Sequence, residues 1–545
     1  MKLLSILALC GALYGQATVG GTSKVGGTTT FGTGALPNWN PITLSTSARF
    51  QPSSTSLTGL PQINGGDASG YQSGAVLTIG GHPWMLWNPW QNGQGNKSFK
   101  PQGVMLGYQI DSGQPFACTT NCLVADGGGW NYFDINSITF SCPNGTCTGN
   151  TARGYCGDGA IDSNGMYYMA PALANTHPVL VQLNYAGGDF TNSANWAGFE
   201  LPLISAQGGA DAYIGSKYGW CGNAFDGRYI YYAPTAGFGG GTSNDNVLRF
   251  DTTQTFAITN FQHTSLSTIY GSNDASGFNN VSYDGFQNLY FPPSDNNTHN
   301  IMAVFNTKAG NFTTTGWTFF DLRTLGTVGH PSVTGNAALS NVQASQITGN
   351  YFVWDPTGTN EWMYMIPYGI NQCGITTVPC TNSVYLQSVV LRTLVGHCGS
   401  PVSGSQTCAS GWTPVDITAS SSTWEAFDLA GLTTSAQWAT SGFATPPLIA
   451  TTPPERGQLS IGSFQLGWVT TAFANARVGM TADHGSFYVE QDTSKSLTDI
   501  TSWYVFQRPT TQGDGCMGGW YYQPNHTYYA SCPGLYVFAM TGAGL

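Results

Sequence analysis

The sequence predicts an all-β chain folded as a β-propeller of about six four-stranded blades, with five or seven as the neighbouring counts. Three observations carry this: a composition made for short strands and turns, a four-strand pattern recurring about every sixty residues, and a Trp-x-x-Phe element that closes each copy.

Composition comes first. Charged residues are 8% of the 545, against roughly 25% in ordinary soluble domains. There are 72 glycines, and Thr, Ser and Asn fill much of the remainder. This mixture favours strands and tight turns and lacks the Glu, Lys and Leu of surface helices. The formal net charge is −11, and the 16 Lys and Arg are scattered. A phosphate backbone needs clustered cations, so nucleic acid is excluded as a partner, and an anionic membrane surface with it.

The repeat is clearest at Gly219-Trp220-Cys221-Gly222-Asn223-Ala224-Phe225-Asp226-Gly227-Arg228-Tyr229-Ile230-Tyr231-Tyr232, followed by Val247–Thr252. Asp-Gly between two β-type runs is a strong short-range hairpin signal. Related copies hold Gly154-Tyr155-Cys156 with Tyr167–Pro171, and Gly277-Phe278 with Tyr283-Asp284-Gly285. The closing element stands at Trp130–Asp134, Trp196–Glu200, Trp317–Asp321, Trp424–Asp428 and Trp503–Gln507, with a degenerate copy near Phe261. That makes six copies, the fifth with a long insertion. Trp and Phe three apart face opposite sides of a plain strand, so a bulge or an edge position is expected there.

Around the repeat, residues 1–17 read as a secretory signal peptide: Lys2, an apolar run from Leu3 to Leu9, and small residues ending at Ala17. Residues 18–68 form a Gly/Thr- then Ser/Pro-rich lead-in, expected to lack regular structure. The propeller occupies 69–512. Residues 513–545 form a disulfide-closed tail that packs on the propeller, completing a blade or clamping the ring. No later run of 18 apolar residues exists, so no transmembrane helix is expected, and the chain reads as a secreted, extracellular or periplasmic monomer. Setting Cys10 aside leaves twelve cysteines, an even number that suits disulfides in an exported protein. Close spacing pairs Cys118/Cys122, Cys142/Cys147, Cys373/Cys380, Cys398/Cys408 and Cys516/Cys532. Cys156 and Cys221 hold matching points of consecutive copies and complete the set.

Over roughly residues 70–507 the chain resembles bacterial secreted propeller repeats of this Asp-Gly-Arg-Tyr-Ile-Tyr kind. That resemblance implies a blade, found in lectins, glycoside hydrolases and other proteins alike. Five-bladed glycosidase families place an Asp early in their first blade; here Gly80-Gly81-His82-Pro83-Trp84-Met85-Leu86-Trp87 holds none.

In a propeller the first strand of each blade lines the central channel. The residues entering those strands repeat a Gly-aromatic step followed by amides or an acid. Tyr71, Tyr155, Trp220, Phe278 and Trp468, with Asn223 and Asn279, are therefore the expected ligand-binding set: aromatic faces for sugar C–H groups and amides for hydroxyls. The competing expectation is that each ring packs between blades. Glycoside hydrolysis needs two carboxylates about 5–9 Å apart, and the loop acids Asp158, Asp211, Asp274 and Glu455 are the candidates. No nucleophile elbow precedes a helix pattern, and the eight His are too dispersed for a zinc site. No cofactor is required on this reading; Asp295–Thr298 and Asn244–Asn246 offer oxygen ligands for a structural calcium. The expectation is an extracellular propeller that binds or cleaves a polysaccharide, with a non-catalytic lectin-like, adhesive or structural role as the alternative.

Overall fold

The computed structural model describes residues 38–43, 71–92, most of 100–172, 179–200, 219–235, 244–294 apart from 279, 300–326, 347–367, 389–401, 408–419, 424–429, 467–469, 477–481, 487–507 and most of 518–541. Six four-stranded antiparallel blades follow one another along the chain. Blade 1 is Tyr71–Ile79, His82–Pro89, Val104–Gln109 and Trp130–Asp134. Blade 2 is Tyr155–Ile161, Met166–Pro171, Val179–Asn184 and Trp196–Glu200. Blade 3 is Trp220–Phe225, Tyr229–Pro234, Asn246–Asp251 and Phe261–Ser265. Blade 4 is Ser282–Tyr283, Asn288–Phe291, Ile301–Asn306 and Trp317–Asp321. Blade 5 is Ile347–Trp354, Asn360–Pro367, Val389–Pro401 and Trp424–Asp428. Blade 6 is Gly467–Val469, Arg477–Thr481, Phe487–Asp492 and Trp503–Gln507.

Both ends of the chain add one more four-stranded sheet. Gly518–Tyr522, Thr527–Cys532 and Tyr536–Thr541 are joined at the outer edge by Asn38–Thr43. Its innermost strand contacts the first strands of blades 1 and 6, so it stands between them and closes the ring. Asn38–Thr43 lies in the stretch expected to be irregular; it is extended because Tyr536–Thr541 would otherwise leave a row of backbone groups unpaired.

The six closing elements are the fourth strands of the six blades, including the degenerate copy at Phe261. Of the bulge or edge position expected there, the structure shows the edge: these are the outermost strands of their blades, and Trp196 to Glu200 pair in regular register with Leu183 to Val179. The opposite-facing residues serve opposite neighbours instead. In three interfaces the Trp faces the preceding blade and the Phe the following one, so the two stack. Phe133 lies on Trp196 at 5.5 Å, Phe320 on Trp424 at 5.6 Å and Phe427 on Trp503 at 5.1 Å between ring centroids. Each indole N–H also donates to a backbone carbonyl of the loop before it: Trp196 to Phe190, Trp317 to Phe312, Trp424 to Ile417 and Trp503 to Leu497. One residue type thus fills a core and pins a loop, which explains its recurrence.

The insertion in blade 5 is a hairpin arm. The 13-residue strand Val389–Pro401 outruns the blade, and its far half pairs with Cys408–Pro414. The Cys398–Cys408 disulfide closes the arm.

Candidate functional site

Besides two in the third strand of blade 5 and its arm, the bulges lie in the first strands, around the channel. Register shifts fall between Tyr71 and Gly74, Cys156 and Ala160, Trp220 and Asn223, and Ile347 and Gly349. A bulge re-aims side chains, and such irregularities recur beside functional sites. Two glycines make this packing feasible. Gly157 has φ +72°, and a Cβ there would lie 2.5 Å from the Gly222 amide nitrogen. Gly222 has φ +77°, and its Cβ would collide with the Asn280 side chain. With no side chain at either point, the inner strands of blades 2 and 3 meet backbone against backbone, and Gly222 leaves room for the Asn280 side chain at the entry to blade 4.

Asp158 sits on the bulge of blade 2. Ser73, on the bulge of blade 1, donates to its Oδ1. Ser73 carries φ +56°, an uncommon conformation for a residue with a side chain. Tyr351 of blade 5 reaches across the channel and donates to Asp158 Oδ2 at 3.1 Å. Three bulged strands therefore converge on one carboxyl. Around it, Tyr167 donates to Asn88 Oδ1 at 2.8 Å, and Asn88 Nδ2 donates to the Gly157 carbonyl at 2.9 Å. Burial pushes the Asp158 carboxyl up to about 7, partly offset by the two hydroxyl donors. The residue as a whole is half-buried.

Trp90, Ala172, the Cys156–Cys221 disulfide and the Tyr351 ring pack together beside this carboxyl. The disulfide joins the inner strands of blades 2 and 3, as the matching positions implied. Cys118–Cys122 and Cys398–Cys408 are also bonded as expected. Cys147, Cys373, Cys380 and Cys516, and the side chains of Cys142 and Cys532, lie outside the described residues.

The aromatic ligand set is corrected by burial. Tyr71, Tyr155, Trp220 and Phe278 are all 0% exposed, each in a different core between blades. The Tyr155 hydroxyl donates to the Val179 carbonyl at 3.2 Å and the Trp220 indole to the Asn246 carbonyl at 2.8 Å. These rings are packed between blades rather than toward the channel. Asn223 is buried as well and donates to the Tyr168 carbonyl at 3.0 Å. Asn279 and the Trp468 side chain lie outside the described residues, as do Asp211 and Glu455.

Asp274 belongs to the connection between blades 3 and 4. Its backbone N–H donates to Ser272 Oγ at 3.2 Å, and its charge is felt by Arg323, just past the outermost strand of blade 4. It is on the outer side of the ring and does not join Asp158. Of the expected calcium clusters, Asp295–Thr298 lies outside the described residues. In Asn244–Asn246 the Asp245 carboxylate accepts from Ser265 and Ser267, clasping the turn into the short helix Leu266–Tyr270. Among the described residues no three His, Cys, Asp or Glu side chains gather as metal ligands, and no helix is long and apolar enough to cross a membrane.

Of these residues the sequence analysis singled out Asp158, as a candidate acid, and none of Ser73, Tyr351, Asn88 and Tyr167. Ser73 had a faint signal, since it follows Tyr71 much as Asp158 follows Tyr155. Tyr351 had none, because its contact spans 193 residues and exists only once the ring closes.

No protein-family model matches the chain, and no curated protein matches it. Among solved structures, the extracellular domain of a putative hybrid two-component system from B. thetaiotaomicron is similar over 90% of this chain at 8% identity and a TM-score of 0.43. The chain covers 43% of that protein. The WD40 domain of Neurospora crassa Pan2 is similar over 88% of this chain and 91% of its own, at 8% identity and a TM-score of 0.39. The propeller assignment rests on this chain's own sheet order: six consecutive blades of an all-β protein.

Proposed function

We propose that this is an exported, non-catalytic propeller that binds a neutral glycan at the Asp158 level of its central channel. The observation that carries this reading is the convergence of Ser73, Asp158 and Tyr351 from the inner strands of three blades on one carboxyl. A carboxyl flanked by hydroxyls and amides is what a sugar hydroxyl needs, since it can donate and accept at once. The low charge of the chain suits a neutral ligand better than a uronate. Three disulfides and the leader-like first 17 residues support export. Hydrolysis is the weaker reading, because Asp158 and Asp274 are not brought together as the acid pair that glycosidases use. A purely structural role is the second reading, favoured by the complete burial of four of the Gly-aromatic steps.

The test is a panel of neutral and acidic polysaccharides, read for retention and for release of reducing ends. Retention of a neutral glycan without release, lost in Asp158→Asn and Tyr351→Phe, is the expected outcome. Release that disappears in Asp158→Asn would instead establish a hydrolase. Silence across the panel would leave the structural role.

A further inference from the structure

The first hairpin of most blades turns on an aspartate whose Oδ1 collects backbone N–H groups. Its Oδ2 then takes a side-chain donor. Asp162 Oδ2 accepts from the Tyr168 hydroxyl at 3.0 Å, Asp226 Oδ2 from Tyr231 at 2.9 Å, and Asp355 Oδ2 from Asn360 Nδ2 at 2.7 Å. Blade 4 breaks this pattern. Asp284 Oδ1 accepts from the N–H groups of Phe286, Gln287 and Asn288 at 2.7–3.0 Å, yet its buried Oδ2 accepts no hydrogen bond. The residue is 3% exposed.

A second acid faces it from blade 5. Glu361, Met363 and Met365 alternate onto the side of their strand that packs on blade 4, and Asn288 and Tyr290 share the opposing side of theirs. Glu361 is 2% exposed, and its Oε2 accepts the Trp412 indole N–H at 2.9 Å. Trp412 comes from the disulfide-closed arm of blade 5 and stacks on Phe286 at 4.4 Å and 8°. Two carboxyls from adjacent blades are thus sealed under an aromatic roof. No Lys or Arg pairs with either among the described residues. Burial raises both groups, Asp284 to about 6 and Glu361 well above the usual carboxylate range, where the charge of Asp284 adds to it, so the bare pair is costly when ionised.

We propose that Asp284 and Glu361, with the Asn288 side chain, form a buried site for a hard divalent cation of the calcium class that locks blade 4 to blade 5. Carboxylate and amide oxygens are the donors such a cation takes, and water would complete its six to eight ligands. The arm then has a purpose: it roofs the ion.

The experiment is thermal unfolding of the full chain at neutral pH, stripped with EDTA and then given millimolar calcium or magnesium, alongside terbium luminescence excited through tryptophan. Calcium should raise the midpoint by about 3 °C in the wild type. The rise should vanish in Glu361→Gln and Asp284→Asn. Trp412→Phe should still gain stability from calcium but lose most sensitised terbium emission. No calcium shift in the wild type, or an equal shift in Glu361→Gln, would overturn the site. Should Asp284→Asn fail to fold, Glu361→Gln decides, since it replaces one buried acid by an isosteric neutral group.

Discussion

At the rim, blades repeat one another. A Trp binds the preceding loop through its indole N–H, and a Phe three residues later stacks on the next blade's Trp in three of the interfaces. Around the channel, the same fold is built from residues that differ blade by blade: Ser73, Asp158, Asn223 and Tyr351 occupy the bulged region of four inner strands. The rim closes a ring of sheets, and any blade can use the same solution. The channel has one axis that all blades share, so each inner strand meets different neighbours there. Repetition marks what holds the fold, and departure from it marks where chemistry is gathered.

Mutations can sharpen or break that contrast. The largest effect belongs to the rim: Trp503→Ala should cost about 3–5 kcal/mol in denaturant unfolding, because it empties a fully buried site and orphans the Leu497 carbonyl. Next is the staple between two inner strands. Replacing Cys156 and Cys221 together by Ala should cost about 2–4 kcal/mol, as the bridge closes a separation of 65 residues in the unfolded chain. A cost as small in the first case as in a surface variant would show that the repeated Trp is not what joins the blades.

The pH response should separate the channel from the rim. Asp158 has a folded pKa near 7, above its unfolded value, so the folded state binds its proton more tightly. Its contribution is full below the unfolded pKa and is lost as pH rises through about 4 to 7, flat beyond. The wild type should lose roughly 2–3 kcal/mol relative to Asp158→Asn between about pH 4.5 and pH 8, measured by unfolding at both ends. Parallel pH profiles would show that Asp158 ionises freely. The smallest effect is a single stacking pair: Phe320→Leu keeps its bulk on Trp424 and should cost about 1 kcal/mol.

The rim was legible in the sequence because its signal is a local pattern written six times. The Trp-x-x-Phe runs gave all six fourth strands, even at Phe261, and the matching positions of Cys156 and Cys221 gave their bridge. The channel was only half legible. Asp158 was one of four candidate acids, but the aromatic before it, Tyr155, was assigned to the channel when it belongs between blades. In blades 1 and 3 the cause is the bulge: a single inserted residue flips which neighbours face inward, and nothing in a Gly-aromatic dipeptide announces the flip. The closing sheet was legible at one end only. The tail was expected to complete a blade or clamp the ring, but its outer strand, Asn38–Thr43, precedes its partner Tyr536–Thr541 by almost the whole chain, so nothing marked it as part of that sheet.

The most direct test of the account compares one channel variant with one rim variant for glycan retention. Asp158→Asn should reduce retention of the bound neutral glycan at least tenfold while the protein stays folded, and Phe320→Leu should retain it at wild-type level. Retention unchanged in Asp158→Asn, or lost equally in both, would contradict the claim that the channel carboxyl rather than the repeated frame carries the function.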